Sequence, residues 1–123
     1  MARILLAEDE EVLRAMLVRA FEKDHSIVAA CDGAEALDRL NEAQGEFDLL
    51  LTDIRMPLMD GIALALAAAR DYPKLTILMM TGFADQRERA HGLEALIHDV
   101  VTKPFSLAQI REAVQGALAS RAA

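Results

Sequence analysis

The chain has no tryptophan, one tyrosine, one cysteine and three prolines. Aromatics make up 4% of its 123 residues, so its interior must be built from aliphatic side chains and methionine rather than stacked rings. A lone cysteine, Cys31, excludes an intrachain disulfide. It fits a reducing compartment, the cytoplasm, and is expected as an inert buried thiol. Basic residues number 13 against 20 acidic ones, giving a net charge of -7. A nucleic-acid surface needs a clustered basic face, so the balance argues against nucleic acid as a partner. It permits a divalent cation or a basic protein patch. No apolar run approaches the roughly 20 residues of a membrane span, and none near the start has the length of a secretory leader. A cytoplasmic protein without membrane contact is expected.

What is present suits one ordinary domain. Hydrophobic residues reach 54%, enough for a sizeable core, and 123 residues leave little room for a second domain. Short continuous apolar runs at Ile4–Ala7, Phe47–Thr52, Leu75–Met80 and Ile97–Val101 read as strands, with a briefer one at Ser26–Ala30. Between them lie helical patterns. Glu10–Lys23 places Leu13, Met16, Leu17, Ala20 and Phe21 on one face, with Glu11, Arg14, Glu22 and Lys23 away from it. Asp32 caps a helix running to about Ala43, and Ile62–Arg70 forms an alanine-rich helix ended by Tyr72-Pro73. Asp85–Leu93 is polar and interrupted by Gly92. Ser106 caps a last helix with Leu107, Ile110, Val114, Ala117 and Leu118 inward.

Five alternations of strand and helix imply a doubly wound parallel sheet covered on both faces. In such sheets ligands sit outside the carboxyl ends of the strands. Glu8-Asp9, Asp53, Thr81 and Lys103-Pro104 each follow an apolar run, so the topology gathers them at one edge. A carboxylate at a strand tip can attack phosphorus, which makes Asp53 the candidate acceptor. Acceptor and donor are both negative, so a cation is required. Mg2+ takes oxygen ligands, and Asp9, Asp53, the Arg55 carbonyl and, through water, Glu8 can supply them. The Thr81 hydroxyl and Lys103 ammonium suit the phosphoryl oxygens. Gly82 leaves room for the incoming group. His25, His91 and His98 show no metal-binding spacing, and Asp60 reads as a brace or cap for the Pro57 loop.

Taken in order, these residues resemble a response-regulator receiver domain along essentially the full length. Glu8-Asp9 is similar to that family's acidic pair, and Thr52-Asp53-Ile54-Arg55-Met56-Pro57-Leu58-Met59-Asp60-Gly61 to its acceptor strand and loop. Thr81 is similar to the switch hydroxyl and Lys103-Pro104-Phe105 to the lysine turn. The resemblance implies a CheY-like, flavodoxin-like fold with strand order 2-1-3-4-5 and a cis Lys103–Pro104 bond. It also implies Mg2+ as cofactor and phosphoryl transfer to Asp53 from a histidine kinase or histidine phosphotransferase, with Thr81 and Lys103 sensing the product. The family usually carries an aromatic residue three positions before the lysine, where this chain has Val100. Arg55 and Phe83 stand at the positions that tune phosphoryl lifetime. Within the family the likeness is to the CpdR type of alphaproteobacterial single-domain regulators. That likeness implies a receiver over 1–123 with no output domain, acting through proteins, with ClpXP-type protease machinery as a target. Two alternatives stay open from the residues alone: a phosphorelay intermediate that passes its phosphoryl group to a histidine, and a metal-dependent phosphohydrolase. The Asp85–Arg89 stretch reads as a solvated helix face, with a partner surface as the alternative.

Overall fold

The computed structural model describes residues 1–82 and 90–122. Five parallel strands form one sheet in the order β2-β1-β3-β4-β5. They are β1 (Arg3–Ala7), β2 (Ser26–Ala30), β3 (Leu49–Asp53), β4 (Thr76–Thr81) and β5 (Asp99–Thr102). The helices are α1 (Glu11–Phe21), α2 (Gly33–Glu42), α3 (Gly61–Asp71) and α4 (Leu107–Ala122), with a short 3-10 turn at His91–Leu93. The expected flavodoxin-like sheet order is therefore the observed one. Phe83 and most of the expected Asp85–Leu93 helix fall on residues 83–89, outside the described residues. Among the described residues no helix is long and apolar enough to cross a membrane.

The period of two along each strand divides the apolar side chains between two layers. Leu5, Leu50, Ile77 and Met79 face Ala36 and Leu40 of α2 and Leu64, Ala65 and Ala68 of α3. Ile4, Leu6, Leu49, Leu51, Leu78 and Met80 face Leu17 and Phe21 of α1 and Ile110, Val114 and Ala117 of α4. The three central strands are buried on both faces, which is why they read as unbroken apolar runs rather than alternating ones.

Caps set the helix starts. Asp32 Oδ1 accepts from the Glu35 N–H at 2.7 Å, and Asp60 Oδ1 from the Ala63 N–H at 2.8 Å. Ser106 and Gln109 form a reciprocal box: Oγ accepts from the Gln109 N–H (3.1 Å) and Oε1 from the Ser106 N–H (2.7 Å). Helix α2 ends in left-handed backbone at Gln44 and Gly45 (φ 54° and 76°). There the Tyr72 ring lies where a Gly45 side chain would stand.

Several expectations need correction. Leu107 is exposed, because it lies in the first turn of α4 beyond the sheet, and Met16 is exposed on the same shallow groove between α1 and α4. Cys31 is exposed too, immediately after the end of edge strand β2. Phe47 and Ile97 are buried but precede their strands. Phe47 lies under the Arg3 guanidinium (4.6 Å), and the Ile97 N–H closes a turn onto the Leu93 carbonyl.

Gly61 touches the acceptor strand directly. Its N–H donates to the Ile54 carbonyl at 2.7 Å, and a Cβ there would collide with the Asp53 carbonyl oxygen. Gly116, in α4, has nothing within 4 Å of its would-be Cβ. Gly61→Ala is expected to cost about 1–3 kcal/mol, the range for overpacking. Gly116→Ala is expected to add roughly 0.5–1 kcal/mol through helix propensity. Urea unfolding of both variants beside the parent measures this, and shifts in the same direction would contradict the packing.

Candidate functional site

The parallel register brings the strand ends together. Ala7 pairs with Thr52, Asp53 with Met80 and Thr81 with Thr102. Each strand's next polar residue thus opens onto the same edge. Glu8 is fully buried there and Asp53 nearly so, whereas Asp9 is exposed. Ligand oxygens of Glu8, Asp9 and Asp53 all lie within 4.8 Å of one another. They open into a cleft of about 330 Å3 that Arg55, Gly82 and Lys103 also line.

One ammonium group ties the two buried carboxylates. Lys103 Nζ donates to Glu8 Oε1 and to Asp53 Oδ2, each at 2.9 Å. Glu8 Oε2 accepts from the Glu10 N–H (3.0 Å), and Asp53 Oδ1 accepts from the Ile54 N–H (2.8 Å). Burial pushes the Glu8 carboxyl up to about 7, against the lowering effect of its hydrogen bonds from Lys103 and Glu10; the Asp53 charge adds to the rise. Burial works against the Lys103 charge, yet its hydrogen bonds to Glu8 and Asp53 outweigh that and hold its pKa above the ordinary lysine value.

Every donor in the cluster is oxygen, and three carboxylates face one ammonium. A hard divalent cation suits that set, and Glu8, Asp9 and Asp53 are the side chains that could hold it. Arg55 lines the same cleft. Thr81 is fully buried at the end of β4, and its carbonyl accepts from the Lys103 N–H at 2.7 Å. A Cβ on Gly82 would meet only Lys103 Cδ, at 4.0 Å, so the fold tolerates a methyl there and the space belongs to the cleft. The Lys103–Pro104 bond is cis. Val100 is half-buried and packs against the core on the α2–α3 side.

Two residues at this edge were absent from the sequence candidates. Glu10 lines the cleft, and its signal was the unbroken acidic run Glu8-Asp9-Glu10. Arg14 reaches back from α1, and nothing in the helical pattern marked it.

The family model for the response regulator receiver domain matches residues 4–115. The chain belongs to the response-regulator receiver family. It is similar to the response regulator receiver protein CpdR of Brucella abortus, 46% identical over 108 residues, covering 87% of this chain and 88% of that protein. It is also similar to the sensor kinase CckA of the same organism, 31% identical over 93% of this chain, but spans only 12% of that kinase. Among solved structures, a receiver domain protein from Clostridium thermocellum superposes with a TM-score of 0.89 at 20% identity, covering 98% of this chain and 97% of that one. That likeness concerns the fold alone. As receiver-family members, such chains are modules of two-component signalling.

The raised Glu8 pKa gives the metal-free protein a defined pH response. The unfolded chain releases this proton near 4.5, while the folded protein holds it to about 7. Folding then takes up a proton within that window, so stability falls as pH rises from about 4.5 to about 7. Glu8→Gln removes the effect. In chelator, the drop in melting temperature between about pH 5 and about pH 8 is expected to be smaller for Glu8→Gln than for the parent. Parallel melting curves for the two proteins would contradict the assignment.

Proposed function

We propose that this chain is a phosphorylation switch of two-component signalling, with Asp53 as the acceptor. The observation that carries the reading is the pairing of Asp53 with Lys103, beside an acidic pair whose ligand oxygens lie within 4.8 Å. In the proposed step a carboxylate oxygen of Asp53 forms a bond to phosphorus. The bond from phosphorus to the imidazole nitrogen of a phosphohistidine breaks, and the electron pair leaves with the imidazole. The donor is a histidine kinase or a histidine phosphotransferase.

The residues have separate tasks. The Ile54 N–H holds one Asp53 oxygen, which fixes the carboxylate plane. Glu8, Asp9 and Asp53, with the Arg55 carbonyl, would hold Mg2+. Bound there, Mg2+ would offset the negative charge that acceptor and donor bring together. Lys103 exchanges its contact with Asp53 for one to a phosphoryl oxygen, and the Thr81 hydroxyl donates to another. Each charge-assisted contact is worth about 1.5–3 kcal/mol. Two together approach the roughly 5.5 kcal/mol that inverts a 1:99 equilibrium. Hydrolysis of the aspartyl phosphate by water resets the switch, so the chain acts on itself rather than on a free substrate.

The signal leaves by protein contact, with the chain acting as a cytoplasmic receiver. The likeness to CpdR favours a target in regulated proteolysis of the ClpXP type. Incubation with Mg2+ and acetyl phosphate, followed by mass spectrometry, is expected to show one phosphoryl group on Asp53 and none in Asp53→Asn. No label on the parent, or equal label on the variant, overturns the reading. Transfer of the label to a histidine on another protein would make the chain a relay intermediate instead. Capture of ClpXP components that differs between parent and Asp53→Asn supports the proteolytic target, and equal capture removes it.

A further inference from the structure

The acidic pair rests on a three-residue connection, Glu8 to Glu10, between β1 and α1. Glu8 is held on both carboxylate oxygens, by Lys103 and by the Glu10 N–H. Asp9 is different. It is exposed, and among the described residues no hydrogen bond or ion pair holds its carboxylate. Where that carboxylate stands is therefore set by the backbone that carries it.

That backbone is gripped from the helix. Arg14 Nη1 donates to the Glu8 carbonyl at 3.0 Å and to the Asp9 carbonyl at 3.5 Å. Helix α1 begins without the usual side-chain cap, since Glu10 makes no capping hydrogen bond. Arg14 also stands in the first turns of that helix, where the dipole favours an anion over a cation. A half-buried arginine in an unfavourable place, bonded to two consecutive carbonyls, needs a compensating contact, and those carbonyls belong to the acidic pair.

We infer that Arg14 is a positioning residue: its guanidinium fixes the Glu8-Asp9 backbone and so holds the Asp9 carboxylate in place for the divalent cation. The inference rests on the functional reading above for the identity of that cation. Arg14 touches no reacting atom. Its loss acts on cation affinity and leaves the chemistry at Asp53 intact once the site is filled. Residues that orient metal ligands typically contribute 10–100-fold in affinity.

The experiment is Mg2+ titration by calorimetry of the parent, Arg14→Met and Arg14→Lys, with Asp53 labelling by acetyl phosphate followed in parallel. Arg14→Met keeps the aliphatic stem and loses the donors. It is expected to bind Mg2+ at least about tenfold more weakly, with labelling at saturating Mg2+ close to that of the parent. Arg14→Lys, with one compact ammonium in place of the fork, falls between the two. Unchanged Mg2+ affinity in Arg14→Met overturns the inference. If Arg14→Met does not fold by circular dichroism, Arg14→Lys decides, and parental affinity there overturns it. A parent that binds no Mg2+ overturns it as well. A parent that binds Mg2+ but takes no label leaves the Arg14 result standing and removes the phosphoacceptor reading instead.

Discussion

The carboxyl edge of this sheet depends on one ammonium group. Two buried carboxylates at the ends of different strands would repel each other in a medium that screens charge poorly. Lys103, arriving from the far side of the sheet, lies 2.9 Å from each and makes their burial tolerable. The compensation is incomplete. Glu8 still keeps its proton to about 7, and the exposed Asp9 adds a third acid to the cluster. A site left short of positive charge is one that a cation or a phosphoryl group bound with a cation can perturb strongly.

The rest of the fold supplies what that arrangement needs. Lys103 and the carboxylates meet only because the strands are parallel and in register, which keeps all five carboxyl ends on one side. The strand ends are held rigidly. Gly61 presses its backbone against the Asp53 carbonyl, and Gly33 receives the Met59 carbonyl on its N–H at 3.2 Å with no space for a side chain. The loop after Asp53 is thus fastened to two helix starts.

Much of this was legible in the sequence for a physical reason. Strands buried on both faces must be continuously apolar, so β1, β3 and β4 stood out, and the polar residue ending each run marked the edge. Boundaries slipped where an apolar residue is buried by a turn rather than by the sheet, as with Phe47 and Ile97. Met16 and Leu107 misled because helical period identifies a face but not how far the neighbouring layer extends. Cys31 misled because burial statistics for cysteine say nothing of an edge strand's last neighbour. Arg14 was invisible for a different reason. Its partners are backbone carbonyls, which every residue carries, so no pattern of side chains records the contact.

The bond from the Lys103 N–H to the Thr81 carbonyl joins the hydroxyl-bearing strand to the lysine-bearing turn. Strand β5 is the rim of the sheet, with β4 on one side, and its Val100 and Val101 point into opposite cores. A displacement of the Lys103 turn would therefore be felt by the packing on both faces of the sheet, because the two valines divide this outer strand's contacts between the layers.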